Sequence, residues 1–323
     1  MAIVRWVRAS AVVVLLMAAV VSAAGQASPI PQNQPGPAAR PQPHSEQAYS
    51  LPPDKLAQAI ALNKIRVALD IAGSIWGLIV LWFLLASRTA VRLDVWTRET
   101  MKPRWLQGLA FFAIFIVILA MANLPLDVIG HTASLRYGIS VQGWPSWLGD
   151  QGKGLAVSLI IGGPIALFFN WIVRKSPRRY WIWLWLISLP LILVSVFISP
   201  LVIDPLFNKF EPLENTHATL VGKLEELVGR TGTDIPPNRM FLMKASEKSN
   251  GINAYVTGIG SSKRFVMWDT TTDRMPDDEI MFIFGHESGH YVLNHIPKML
   301  AALMAGMFFV FWACANLAEG MVR

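Results

Sequence analysis

The chain has 323 residues, 53% hydrophobic and only 15% charged, with a mean hydropathy of +0.42. Such low charge and high apolarity exclude an ordinary soluble domain and describe a membrane protein, which the thirteen Trp also fit because that ring favours the interface. The net charge of +7 does not read as nucleic-acid binding, since the Lys and Arg cluster beside apolar segments, and the single Cys314 excludes an internal disulfide and a cysteine zinc site.

Arg5 and Arg8 precede an apolar run over 11–21, then Ser22-Ala23-Ala24-Gly25. Residues 1–25 therefore read as a secretory signal peptide or, if uncleaved, as a first membrane helix. A linker follows over 26–63, whose 26–53 stretch is rich in Pro, Gln, Ala and Ser and too poor in apolar side chains to fold. Four strongly apolar spans come next, at 67–86, 106–126, 155–173 and 181–203, within a transmembrane region over 64–203. A fifth lies at 299–317, ahead of a short tail at 318–323. Each is long enough to cross about 30 Å of hydrocarbon as a helix. Pro164 and Pro190 fall inside spans, where membrane helices tolerate them.

Charges bracket these spans unevenly. Arg88, Arg92, Arg98, Lys102 and Arg104 follow the first; Arg174, Lys175, Arg178 and Arg179 separate the third and fourth. The loop over 127–154 carries only Arg136 and Lys153. The positive-inside rule puts 88–105 and 174–180 in the cytoplasm and the polar region after the fourth span outside.

That polar region, 204–298, has its own pattern. Residues 217–228 are amphipathic, with Leu220, Leu224, Leu227 and Val228 on one face and Gly229 and Gly232 beyond. Pro236-Pro237 marks a break. Short candidate strands lie at 240–244, 253–257 and 264–268, and the loop over 258–263 makes a hairpin of the last two. A helix is predicted next, with Pro276 at its start and Asp277, Asp278 and Glu279 in its first turn.

This helix carries the most informative feature of the chain, Phe-Gly-His-Glu-Ser-Gly-His-Tyr over 284–291. Four residues advance a helix by about 400°, so His286 and His290 lie about 40° apart on one face and can converge on one metal ion. Glu287 stands between them, placed as a general base for the water that the metal activates. The spacing is the zinc-metallopeptidase signature. Gly285 and Gly289 beside the histidines point to close approach of another backbone or of a ligand. His295, five positions past His290, falls about 140° away on a continuous helix and is not counted as a ligand. His44, His131 and His217 read as solvated or capping residues, and Asp269 as a turn cap. The order helix, hairpin, metal helix leaves a strand edge near the metal to which an extended peptide can add.

Four blocks together resemble the type-1 CAAX prenyl protease family of membrane-embedded zinc metallopeptidases. They are Asp204-Pro-Leu-Phe-Asn-Lys-Phe-Glu-Pro-Leu213, Ser249-Asn-Gly-Ile-Asn-Ala-Tyr255, Lys263-Arg-Phe-Val-Met-Trp-Asp-Thr270, and Phe284 through His295. The likeness implies a predominantly α-helical polytopic membrane protein, with a transmembrane helix bundle around a chamber and a small α+β zinc metallopeptidase domain. It implies one zinc ion per chain, a peptide or membrane-protein substrate, and a cleft lined by Asn253, Ala254 and Tyr255.

The family's third zinc ligand is a Glu in a downstream Glu-x-x-x-Asp helix. No such pattern follows His290, and Glu319 is the only later carboxylate. Glu319 reads as a surface residue at a helix end, so the third ligand is expected downstream of Arg323, in a chain truncated here. The family's well-known members also hold the zinc domain in the cytosol, opposite to the charge pattern of this chain. The expectation is an integral-membrane zinc metalloendopeptidase, multi-pass in a bacterial-type inner membrane. The alternative is an inactive membrane protein lacking the third ligand and acting as a binding or assembly factor. A soluble secreted metalloprotease is excluded by the apolar spans.

Overall fold

A computed structural model describes residues 53–258 and 260–320. The signal-like segment, His44 and most of the linker lie outside the described residues. The chain divides into two units, 1–95 and 96–323. In the first, helix α1 runs Pro53–Ala86, so residues 53–63 of the expected linker already belong to the first span. Ala, Leu, Gln and Lys there are good helix formers. Arg88 takes a left-handed backbone (φ 56) at the corner that leads into α2, Thr89–Thr100.

The second unit holds α3 (Arg104–Arg136), α4 (Trp144–Lys175) and α5 (Tyr180–Ile198), the last continuing through a π turn at Ser199–Ile203. Each helix of 32 or 33 residues is about 50 Å long at 1.5 Å per residue, well beyond the hydrocarbon thickness. The apolar runs marked only the membrane-depth part. Among the described residues five helices are long and apolar enough to cross a membrane.

Small residues let α3 and α4 approach closely. A Cβ on Gly108 would lie 2.8 Å from Leu167, on Gly162 2.9 Å from Phe112, and on Gly163 2.7 Å from Leu109. The last helix packs on α5, where Trp185 Nε1 donates to the Met304 carbonyl at 2.8 Å and Trp181 and Trp185 meet Phe308 edge-on.

The polar region forms a four-stranded sheet in the order β1-β2-β4-β3. Its strands are β1 (Phe210–Pro212), β2 (Met240–Met243), β3 (Ala254–Thr257) and β4 (Arg264–Trp268). β2 and β4 run parallel, while β1 on β2 and β3 on β4 are antiparallel, so the expected hairpin is present. Two longer helices complete the region, α6 (Glu214–Thr231) and α7 (Asp277–Val292), and the last membrane-capable helix, α8 (His295–Gly320), follows. α6 ends where Gly232 turns left-handed (φ 68).

One face of the sheet packs on α6 and α7 through Leu213, Leu224, Met240, Phe265, Ile280 and Phe284. The other covers Met243, Ala245 and Val266 with Phe210, Phe241, Tyr255 and Trp268. Central β4 is therefore buried on both faces, as its apolar run requires.

The short α3–α4 connection docks on this domain. Val141 N donates to the Lys248 carbonyl at 3.0 Å, Asn250 N to Ile139 O at 2.8 Å, and Lys248 pairs with Asp150 at 2.5 Å. These contacts brace the segment that leads into β3.

Candidate metal centre

Helix α7 is built from the outside in. Pro276 caps it in an extended conformation, so the helix begins at Asp277, one position after the expected start, and Lys223 of α6 pairs with Asp277 at 2.8 Å. Ile280, Phe284 and Ser288, spaced by four, form a buried stripe, and the Phe284 ring meets Phe265 edge-to-face at 4.8 Å. That anchor turns Phe282, His286 and His290 to the opposite, exposed side.

His286 Nε2 and His290 Nε2 lie 3.2 Å apart. Two ligands at about 2.0–2.1 Å from one tetrahedral ion stand about 3.3 Å from each other, so the pair fits zinc. Glu287 is half-buried beside them; burial pushes its carboxyl above the usual range, against the pull of the two imidazoles. Among the described residues no group of three or more His, Cys, Asp or Glu is arranged to hold a metal. The side chain of Glu319 is outside the described set.

The glycines beside the histidines are not crowded by other backbone. A Cβ on Gly289 would meet nothing within 4 Å, and on Gly285 only Leu227 at 3.9 Å. Of the two readings offered for them, approach of a second backbone falls away.

His295 is placed differently from its helical count. α7 ends at Val292, Asn294 adopts φ 55, and α8 restarts at His295. The break brings His295 Nδ1 to 2.8 Å from His290 Nδ1. The 140° separation holds only on an unbroken helix. Asn, the non-glycine residue most tolerant of this conformation, and Pro297 in the next first turn were the signals for a stop and restart.

Of the predicted substrate residues, Ala254 and Tyr255 open β3, an edge strand packed beside α7, and Asn253 immediately precedes it. Ala254 is buried on the α7 face of the sheet. Tyr255 belongs to the opposite face, among Phe210, Phe241 and Trp268, where burial, then the charge of Asp204, pushes its phenol up to about 12. Asn253 is half-buried, with its N–H donated to Thr271 Oγ1 at 2.8 Å and its carbonyl accepting from Trp268 N at 3.1 Å. The structure thus brings the backbone of this segment to the metal helix, but not the Tyr255 ring.

Tyr291, which the sequence marks only as a periodic position of the helix, holds the edge in place. Its hydroxyl donates to the Gly258 carbonyl, and Lys263 Nζ lies 4.4 Å from its ring centre. Gly258 is at φ 85, and a Cβ there would fall 2.2 Å from Ser262 O, so only glycine serves.

Other polar residues resolve plainly. Asp269 accepts from Ser246 N at 2.9 Å, Ser246 Oγ at 2.5 Å and Thr270 N at 2.8 Å, the expected turn cap. His217 Nδ1 lies 2.8 Å from Thr216 Oγ1. His131 is neither solvated nor in a loop: α3 extends to carry it, buried, against the rings of Trp144 and Trp147, at 4.8 and 5.0 Å.

Comparisons with known proteins identify the family. Residues 38–209 match the family model described as CAAX prenyl protease N-terminal, five membrane helices, and residues 214–322 match peptidase family M48. An uncharacterized metalloprotease of Bacillus subtilis (strain 168), YhfN, is 35% identical over 86% of this chain and 65% of its own length. CAAX prenyl protease 1 of Saccharomyces cerevisiae is 33% identical over 72% of this chain and 50% of its own. The crystal structure of S. mikatae Ste24p superposes with a TM-score of 0.70 at 26% identity, covering 81% of this chain and 62% of that one. The chain thus spans between half and two-thirds of these relatives.

Proposed function

The chain belongs to the type-1 CAAX prenyl protease family of membrane M48 peptidases, and on that footing we propose that it is an integral-membrane zinc metalloendopeptidase with Glu287 as general base. One observation carries the reading: two Nε2 atoms 3.2 Å apart on the exposed face of a helix, with a half-buried carboxylate between them and an edge strand alongside. His286 and His290 would hold the metal. A bound zinc ion supplies Lewis acidity, bringing the pKa of water toward about 7 and polarising a carbonyl. Glu287 takes the proton of the attacking water and delivers it to the leaving amine. In the segment of Asn253, Ala254 and Tyr255, the Asn253 backbone is bonded to Trp268 and Thr271, and the outward backbone groups of Ala254 at the edge of β3 would pair an extended peptide, the strand alternation leaving the Tyr255 ring on the far side.

The test is zinc stoichiometry and peptide cleavage by the full-length protein in detergent, with prenylated and unprenylated peptides side by side. One zinc per chain and cleavage that chelation abolishes and zinc restores are expected. Absence of zinc and of cleavage would favour the inactive, binding or assembly reading instead.

The domain is proposed to face outside in a bacterial-type inner membrane. Arg98, Lys102 and Arg104 lie at one end of α3, and Arg174, Lys175, Arg178 and Arg179 between α4 and α5. The domain follows on the other side, where it docks on the sparsely charged α3–α4 loop. Glu226→Cys in a Cys314→Ser background should react with an impermeant maleimide in intact cells. Labelling only after permeabilisation would place the domain inside.

A further inference from the structure

A neutral imidazole carries one proton on two nitrogens, and a ring that binds a metal through Nε2 must carry that proton on Nδ1. His290 turns Nε2 toward His286 at 3.2 Å and Nδ1 toward His295 Nδ1 at 2.8 Å. The two contacts leave from different atoms of the same ring, so one ion cannot be shared by His286, His290 and His295. We propose that His295 is a positioning residue: its Nδ1 accepts the Nδ1–H of His290 and fixes the tautomer and ring orientation that present Nε2 to the metal. His295 then keeps its own proton on Nε2.

The break in the helix serves this contact. Asn294 at φ 55 ends α7, Asn294 N donates to Tyr291 O at 3.0 Å, and Lys298 Nζ donates to Leu293 O at 2.9 Å, holding the turn. The two rings lie 4.9 Å apart at 66°. An uninterrupted helix would carry His295 to another face. The contact also relates the metal helix to the first turn of a membrane span, because His295 is the first residue of α8.

This inference rests on zinc binding by His286 and His290. Its test uses the full-length protein in detergent, with zinc affinity measured by competition with a chromophoric chelator. His295→Ala should bind zinc about 10–100-fold more weakly, the range for loss of a partner that orients a ligand. His295→Asn, whose Oδ1 lies the same number of bonds from Cα as Nδ1 does, should recover most of that loss. The zinc-free proteins should share one thermal midpoint. Affinity within about threefold of the parent in His295→Ala would overturn the proposal. So would an equal loss in His295→Asn, or an early-melting zinc-free Ala variant, which marks a purely structural contact. A parent protein that binds no zinc overturns the underlying reading as well, and the parent measurement alone distinguishes that case.

Discussion

Helix α7 carries two stripes with the same spacing and opposite fates. Ile280, Phe284 and Ser288 are 2%, 0% and 0% exposed, while Phe282, two positions along from Ile280, is 77% exposed and begins the stripe that continues through His286 and His290. An offset of two residues is about 200° of helical rotation, so the stripes face opposite ways. The inner one seats the helix in the core of the sheet domain. The outer one is left free for chemistry, and only a rigid inner seat can hold two imidazoles at a metal-binding separation. The difference teaches that the proposed imidazole pair is set on one helix held by its back, and that the two stripes should fail separately.

The largest separation should come from His286→Ala. It removes half of the imidazole pair, so zinc content and peptide cleavage should both fall to background while the zinc-free thermal midpoint stays at that of the parent. Undiminished zinc would exclude His286 as a ligand. Glu287→Gln should cut cleavage by about 10²–10⁴-fold, the range for loss of general acid–base catalysis, with zinc retained at parental stoichiometry. Persistent turnover in that variant would refute the role assigned to the carboxylate.

Phe284→Ala attacks the other stripe. The ring is fully buried against Phe265, and truncating a buried Phe typically costs about 3–5 kcal/mol. The expected outcome is a large fall in the thermal midpoint with the proposed zinc ligands untouched in sequence. A stable Phe284→Ala protein with weakened zinc binding would mean that the back of the helix tunes the metal directly, and the two stripes would no longer be separate.

Much of this is legible in the sequence. The spacing of His286, Glu287 and His290 reports its own geometry because a single helix sets it. The strands at 253–257 and 264–268 are visible because β-branched and aromatic residues run between turn signals, and the one at 240–244 because a short apolar run follows the Pro236-Pro237 break. What escaped depends on relations between segments. The chain order of the strands does not reveal that β2 pairs with β4 in parallel while β3 takes the edge. His131 looked like a loop residue because the apolar run ends before it, although α3 continues to Arg136. His295 was misplaced for a more local reason. A periodic count assumes an unbroken helix, and one left-handed residue, Asn294, changed the phase of everything after it.

The smallest predicted effect is also the sharpest test of separation. Ser288 lies on the inner stripe next to Glu287, fully buried, and its hydroxyl has no hydrogen-bond partner among the described residues. An unsatisfied buried hydroxyl typically costs about 1–3 kcal/mol of desolvation. Ser288→Ala deletes that group while leaving the Cβ in place, and alanine is the better helix former by roughly half a kcal/mol. The cavity left by one oxygen offsets part of the gain. A net stabilisation of about 1 kcal/mol is expected, seen as a modest rise in thermal midpoint, with zinc content and cleavage unchanged. If Ser288→Ala instead lowers cleavage at constant zinc, the hydroxyl acts on Glu287 through the helix. The inner stripe would then belong to the chemistry after all.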